Sequence, residues 1–256
     1  MRELQGIGAV VLASGAGTRL GNATRAVPKP MLTFNGRPFL YYLLHWLIRS
    51  SVRPIVVTTW THADIIDDFI RSESGFPGLV STVREDTLVS TAAGAQVGLE
   101  AVGTPMSLLM PADSVLDLDV RGLVRQHREM NAQVTAVVTQ REDFPYRAMV
   151  KLQRDRRIAQ FWPTIPTALS RQPDLEEANT TGFFLANTLD LLAAIRPHDT
   201  GIEREPMSRL IPHAFGYLYE QFFLDFGLPE NYRWLKTHPE AITKYLGEPS
   251  CSACGG

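Results

Sequence analysis

The apolar positions of this chain fall into two alternating patterns, short continuous runs and longer segments with helical spacing. Ile7-Gly8-Ala9-Val10-Val11-Leu12 is a continuous run followed by small residues and glycines, as a buried parallel strand is where it meets a ligand-facing loop. After a long loop, Phe39, Leu40, Leu43, Leu44, Leu47 and Ile48 recur at the spacing of one helix face. Arg49 then places a cation at the end where the helix dipole favours it. The same reading predicts strands over 54–58, 79–83, 106–110 and 133–139, with helices over 63–70, 91–101 and 120–130 between them. Strand and helix in repeated turn predict βαβ units, and so a Rossmann-like three-layer α/β/α fold on a mainly parallel mixed sheet.

From residue 144 the rhythm changes. Strand-like runs over 148–152, 157–161 and 181–185 are separated by polar or proline-containing loops, which predicts small antiparallel additions to the sheet. A short helix over 189–195, a strand over 217–223 and closing helices over 229–235 and 239–246 complete the expectation. No internal repeat, heptad run or flexible linker divides the chain, so 1–246 is expected to be one domain whose halves, 1–140 and 141–246, share a sheet. Residues 247–256 read as a disordered tail. In an open α/β sheet the ligand lies at the carboxyl ends of the parallel strands.

The chain has 256 residues, 45% of them hydrophobic, enough to take roughly three quarters of its unfolded surface out of water. With 25 Lys plus Arg against 27 Asp plus Glu, its formal charge of -2 supplies no global basic surface. Nonspecific nucleic-acid binding is therefore not its main role, and any phosphate site must be local. The opening Met1-Arg2-Glu3-Leu4-Gln5-Gly6 lacks the apolar core of a signal peptide, and no run is long enough to span a bilayer. The expectation is a cytoplasmic protein with no nucleic-acid or membrane partner. The two cysteines, Cys251 and Cys254, lie in the Ser/Gly-rich tail without the second ligand pair of a zinc site or the strand and helix around a redox pair.

The first strand runs directly into Gly15-Ala16-Gly17-Thr18-Arg19-Leu20. Glycines there let the backbone come close to a phosphate with its N–H groups pointing at the oxygens. The pattern lacks the third glycine of a dinucleotide fingerprint and the Gly-Lys-Ser/Thr of a P-loop. Ten residues after Arg19, Pro28-Lys29-Pro30-Met31 holds a lysine between two prolines of restricted φ, which keeps a flexible cation in a defined loop. Arg19 and Lys29 can then close on one triphosphate.

Leu12-Ala13-Ser14-Gly15-Ala16-Gly17-Thr18-Arg19-Leu20, followed by Thr24, Pro28-Lys29-Pro30-Met31-Leu32 and Gly36-Arg37-Pro38-Phe39-Leu40, resembles the opening of the sugar-1-phosphate nucleotidylyltransferases. Ser90-Thr91-Ala92-Ala93-Gly94 looks like that family's base-facing loop, and Leu109-Met110-Pro111-Ala112-Asp113 like the strand end that carries its metal-binding aspartate. Asn179-Thr180-Thr181-Gly182-Phe183-Phe184 is similar to the sugar-facing strand, and the run from Phe223 through Asp225 and Gly227 to Tyr232 to the second metal aspartate with its turn and helix.

The resemblance implies an enzyme that takes NTP and a sugar 1-phosphate as substrates and Mg²⁺ as cofactor, with 1–140 binding the nucleotide and 141–246 the sugar. It leaves a homo-oligomer open. Arg19, Lys29, Asp113 and Asp225 would be the catalytic residues, the two aspartates holding the metal. Leu12, Ala13, Gly15, Ala16, Gly17, Thr18, Arg19, Ser90, Thr91, Gly94 and Ala112 would bind the nucleotide. Lys29, Ala148, Arg157, Asn179, Thr181 and Gly182 would bind the sugar phosphate. Bringing several phosphates together is a task for positioning and charge neutralisation, and an ionised sugar phosphate needs no general base.

Plainer roles compete at some positions. Thr91 is as well placed to cap the helix over 91–101 as to meet a base. Asp113 could cap the helix near Val120, though Asp117 and Asp119 are closer, and His45 reads as a packed core histidine.

Three positions depart from the family pattern. Ser14 stands where a glycine is common, Pro111-Ala112 replaces Asn-Gly, and Phe161-Trp162-Pro163 replaces the Glu-Lys-Pro whose lysine grips the sugar phosphate. Arg147, Lys151 and Arg157 are the candidate substitutes for that lysine. Strand alternation, with Ala148 in the place of the sugar-contacting glycine, turns Lys151 away and favours Arg157 or a loop arginine, the alternative being that Lys29 and Mg²⁺ suffice. No hexapeptide repeat follows Tyr245, so a fused β-helix acyltransferase is not expected. Within the family the chain looks most like the branch that activates heptose or octose 1-phosphates with GTP. The alternatives are a non-catalytic nucleotide-sugar sensor and a cytidylyltransferase for a non-sugar phosphate.

Overall fold

A computed structural model describes residues 4–15, 17–85, 90–141, 149–162 and 174–248. Ala16, Arg147, Ala148 and both cysteines, named above, lie outside the described residues.

Strands β1 (Ile7–Leu12), β4 (Ile55–Thr59), β5 (Val80–Arg84) and β6 (Met106–Pro111) follow the expected pattern, and a short hairpin of β2 (Thr33–Phe34) and β3 (Arg37–Pro38) precedes α1 (Phe39–Arg49). Helices α2 (Ala63–Ser72) and α3 (Thr91–Val102) make the next crossovers. After β7 (Ser114–Leu116) come α4 (Val120–Glu129), β8 (Val134–Thr139), β9 (Met149–Leu152), β10 (Ile158–Trp162) and β11 (Glu176–Asn187). The chain closes through α5 (Thr188–Ala194), α6 (Glu205–Arg209), β12 (Ala214–Leu218), β13 (Phe223–Asp225), α7 (Pro229–Thr237) and α8 (Glu240–Leu246).

Among the described residues, nine strands form one sheet in the order β10-β9-β11-β6-β1-β4-β5, with β8 on the other edge of β11 and β12 beyond β8. β1 pairs in parallel with β4 and β6, β4 with β5, and β8 with β12, while β11 runs antiparallel to its neighbours. This is the expected mixed sheet, and strands from both halves of the chain share it. Side-chain alternation along β1 divides the core: Ala9 and Val11 face the layer of α1, α2, α4 and α8, while Val10 faces α3, α5 and α6.

Two expectations are corrected. The segment over 217–223 is not one strand: β12 ends at Leu218, and β13 starts at Phe223 in a separate two-stranded sheet with β7. The apolar run that suggested a single strand is a corner, where Tyr219 is buried and its hydroxyl donates to the Phe222 carbonyl and accepts from the Asp117 N–H. The run over 181–185 is the middle of a 12-residue strand, because the polar Glu176 to Thr180 also pairs, with β9 and β8. The register of β11 shifts between Thr180 and Phe184 around Gly182, whose φ of 83° only glycine adopts readily. Among the described residues no helix is long and apolar enough to cross a membrane.

Candidate active site

The carboxyl ends of β1, β5 and β6 open onto a cavity of about 230 Å³. Leu12, Ala13, Ser14, Gly15 and Arg19 line it from the β1 side, Pro111, Ala112 and Asp113 from β6, Glu85 from β5, and Ser90, Thr91 and Gly94 from the start of α3. Lys29 and Pro30 close it. Arg19, Lys29 and Asp113, widely separated in sequence, therefore meet where the rule for parallel sheets places a ligand.

The glycine loop is held by its own chain. Gly17 adopts a left-handed conformation with φ of 64°, and its carbonyl accepts from the Thr24 hydroxyl at 2.8 Å and the Leu20 N–H at 3.0 Å. Gly15 is exposed, and a Cβ there would meet nothing within 4 Å. Thr18 and Arg19 are exposed at the start of a 3-10 helix, Thr18–Thr24. Arg19 is thus a cation at the mouth of the cavity.

Lys29 starts a single 3-10 turn, Lys29–Met31, between extended Pro28 and buried Pro30. Its ammonium donates to Asp113 Oδ2 at 2.7 Å, with both side chains mostly but not fully buried. Asp113 lies in the turn between β6 and β7, and the register of β7 against β13 sets Asp225 beside Ser114. The Phe226 N–H donates to the Asp113 carbonyl at 3.1 Å. A Cβ built on Gly227 would lie 2.8 Å from Asp113 Oδ2, 2.8 Å from Lys29 Nζ and 2.9 Å from Asp225 Oδ1, so all three charged groups converge on this glycine. Among the described residues no group of three or more His, Cys, Asp or Glu side chains could hold a metal. Two converging carboxylates do suit Mg²⁺, a hard cation that commonly takes one or two carboxylates and completes its shell with waters and substrate phosphates.

At the α3 end, the helix cap is Ser90 and not Thr91: Ser90 Oγ accepts from the Ala93 N–H at 3.1 Å and donates to the Asp199 carbonyl at 2.7 Å. Thr91 Oγ1 instead accepts from the Ile202 N–H at 3.2 Å. Asp199 is itself gripped by both guanidinium nitrogens of Arg209, at 2.6 and 2.8 Å, a pair that holds its carboxyl below the usual carboxylate range. The cap of α4 is Asp119, which accepts from the Gly122 N–H at 3.0 Å, leaving Asp113 to the site.

Glu85 lines the cavity and did not stand out in the sequence. It is 5% exposed, and burial pushes its carboxyl above the ordinary value near 4.5, opposed by a hydrogen bond from Ser14.

The residues expected to meet the sugar are dispersed. Asn179 and Thr181 are buried on β11, and Thr181 donates to the Val137 carbonyl at 3.0 Å. Gly182 comes against the cavity wall, since a Cβ there would lie 3.5 Å from Pro111 Cγ. Arg157 is elsewhere: it is exposed, its guanidinium sits 5.4 Å over the ring of Phe215, and it is not among the cavity residues. Lys151 is fully buried, its ammonium 3.5 Å from Glu177 and 5.0 Å over the ring of Trp162. His45 packs between Tyr41 and Phe76, as expected.

A glycine loop, two cations and paired carboxylates at the carboxyl edge of a parallel sheet define an α/β protein built to hold a polyphosphate. The chain belongs to the nucleotidyl transferase family, whose model matches residues 8–201. It is 20% identical over 228 residues to the D-glycero-alpha-D-manno-heptose 1-phosphate guanylyltransferase of Aneurinibacillus thermoaerophilus, a match covering 88% of this chain and 95% of that one. Its match to the mannose-1-phosphate guanylyltransferase of Mycobacterium tuberculosis is 24% identical over 231 residues and covers 88% of this chain but 62% of that protein. Among solved structures, HddC from Yersinia pseudotuberculosis has a similar fold, with a TM-score of 0.71 at 20% identity over 93% of this chain and 98% of that one. HddC complexed with GMP-PN gives 0.70 at 19% identity over 90% and 98%.

Proposed function

We propose that this protein is a Mg²⁺-dependent guanylyltransferase that moves GMP from GTP onto a sugar 1-phosphate, a heptose or octose 1-phosphate by preference. The convergence of Lys29, Asp113 and Asp225 on Gly227 carries the reading. A phosphate oxygen of the acceptor attacks the α-phosphorus of GTP. The bond from that phosphorus to the bridging oxygen breaks, and its electron pair leaves on pyrophosphate. Arg19 and the amides of the glycine loop face the charge that grows on the leaving group. Lys29, fixed by its prolines and its bond to Asp113, offsets the repulsion between acceptor and triphosphate. Asp113 and Asp225 would hold Mg²⁺, which when bound neutralises charge on the phosphates. The guanylyltransferase names of the relatives and the GMP-PN complex of HddC support the choice of base.

The test is pyrophosphate release from each of four NTPs against a panel of sugar 1-phosphates. GTP with a heptose 1-phosphate should be the best pair, and dTTP with glucose 1-phosphate as the best pair would overturn the substrate assignment. The replacement of Glu-Lys-Pro by Phe161-Trp162-Pro163 favours one second reading, a nucleotide-sugar sensor without turnover. Exchange of labelled pyrophosphate into GTP in the presence of the sugar nucleotide separates the two, since a sensor gives none.

A further inference from the structure

The described residues that connect α5 to α6 do not line the cavity, yet two of them hold the two hydroxyls that line it at the start of α3. Ser90 donates its one hydroxyl proton to the Asp199 carbonyl and accepts from the Ala93 N–H, so that carbonyl orients the first turn of α3. Thr91 accepts from the Ile202 N–H, which leaves its own proton to donate. The connection is in turn pinned to its neighbours. The buried Asp199 carboxylate accepts from both guanidinium nitrogens of Arg209, the last residue of α6, and from the Arg196 N–H at 2.8 Å. Arg209 also donates to the Ala194 carbonyl at the end of α5, at 2.6 Å. Thr200 donates to Glu205 at the start of α6 through its N–H and its hydroxyl, and Glu203 accepts from Thr180 of β11 at 2.9 Å.

We infer that Arg209, which does not line the cavity, is a positioning residue for the nucleotide: through Asp199 it fixes where Ser90 and Thr91 stand. The inference rests on the reading of the cavity as the nucleotide site. Without the guanidinium, a buried carboxylate would keep the Arg196 N–H and lose two charge-assisted bonds, an arrangement costly enough to turn the carboxylate toward water. The Asp199 carbonyl and the Ile202 N–H belong to the same connection and would move with it, taking their hold on the two hydroxyls out of register. A shift of about half an ångström already exceeds the tolerance of a binding constellation. Lysine cannot take the place of Arg209, because one ammonium does not reproduce a planar fork that meets both carboxylate oxygens and the Ala194 carbonyl.

The experiment reads amide hydrogen exchange of the free protein, residue by residue by NMR, and calorimetric binding of GTP with Mg²⁺ and no acceptor. It compares the wild type, Arg209→Ala, Arg209→Lys, Ser90→Ala and the Ser90→Ala/Arg209→Ala double variant. Arg209→Ala should speed exchange of the Ala93, Gly94 and Ile202 amides about tenfold or more, leave those of β1 unchanged, and weaken GTP binding about tenfold. Millimolar guanidinium should recover about threefold of that loss by refilling the place of the side chain, an effect that general loosening of the fold would not show. Arg209→Lys should fall between, and it carries the same comparison if the alanine variant does not fold. In the Ser90→Ala background the loss from Arg209→Ala should shrink to about threefold or less, because only the Thr91 contact remains to be displaced. An Arg209→Ala or Arg209→Lys variant that binds GTP as tightly as wild type overturns the inference, and so does a loss that is the same in the Ser90→Ala background. A wild type that binds no NTP while the α3 amides respond to Arg209→Ala would instead overturn the proposed reaction and leave the hold of Arg209 on α3 standing.

Discussion

Replacing Gly227 by alanine should disable the site while leaving the fold intact. The backbone at Gly227 lies outside the left-handed region, so alanine can adopt it. Its methyl group, however, would stand 2.8 Å from Asp113 Oδ2 and Lys29 Nζ and 2.9 Å from Asp225 Oδ1, where ordinary contact begins at 3.4 Å. Each group must retreat by about half an ångström, which is the tolerance within which a catalytic constellation has to be held. Asp225 is fully buried and accepts from the Gly227 N–H, and Asp113 is tied to Lys29, so neither carboxylate has a free direction of retreat. A misplacement of about 1 Å can cost a hundredfold in rate, so a loss of about 30- to 100-fold in kcat/KM is expected, or about 2–2.7 kcal/mol of transition-state stabilisation. The lost chain entropy of the unfolded state favours alanine by about 0.4–1 kcal/mol, which offsets part of the contact strain and should keep Tm within a few degrees of wild type. Initial rates of pyrophosphate release over a Mg²⁺ series, with a thermal melt on the same sample, read both quantities. A variant within threefold of wild type at every Mg²⁺ concentration would refute the idea that the three charges act as one constellation.

Four further outcomes are expected. Asp113→Asn and Asp225→Asn should each lower turnover by about a hundredfold, the scale of losing one preorganised charge contact, and EDTA should abolish wild-type activity; full rates in EDTA would exclude the metal. Gly94→Ala should change stability by no more than about 1 kcal/mol, helix propensity opposing the contact with Glu85, while GTP binding weakens because both residues line the cavity; unchanged affinity would show that the carboxylate has room to move. Arg157→Ala should leave the KM of both substrates within about twofold, since the guanidinium makes an exposed contact with Phe215 of a kind worth about 0.5–1 kcal/mol; a several-fold rise in acceptor KM would restore it to the sugar site. Burial holds His127 and His45 below their ordinary value of 6.5, so the unfolded chain binds more protons there and stability should fall as pH drops through 6.5. Urea midpoints at pH 7.5 and 5.5 should show that fall, and His127→Gln should reduce it.

Much of the fold was legible because its parallel strands are continuous apolar runs closed by turn residues, as in β1, β4, β6 and β8. The site at their carboxyl ends was legible for the same reason: the glycine loop and Asp113 each follow such a strand directly. The pairing of β7 with β13 was not, because each is three residues long and neither shows a period. Asp225 could be found only by resemblance, and its closeness to Asp113 depends on a register that no local pattern reports. The N-terminal part of β11 was hidden because Glu176, Glu177, Asn179 and Thr180 are polar, although Asn179 and Thr180 are buried between neighbouring strands.

Glu85 shows a different limit. An acid after a strand reads as an ordinary polar loop residue, and its burial follows from Ser14 in the loop after β1 and Gly94 on α3, partners 71 and 9 positions away. The sequence did hold a clue in Ser14, a departure from the glycine common in the family, but a hydroxyl without a visible partner is only an anomaly. Lys151 is the converse case. Strand alternation set it on the face opposite Val150 and Leu152, and the structure agrees, because those two belong to the apolar layer of α3, α5 and α6. That face is nonetheless buried, and the ammonium lies over Trp162, the residue in the place of the family's lysine. With Lys151 engaged by Trp162 and Glu177, and Arg157 against Phe215, the cations that line the cavity among the described residues are Lys29 and Arg19. The more of that charge a divalent cation supplies, the more steeply activity should fall when it is removed, which is why the EDTA and Gly227→Ala experiments bear on the same point.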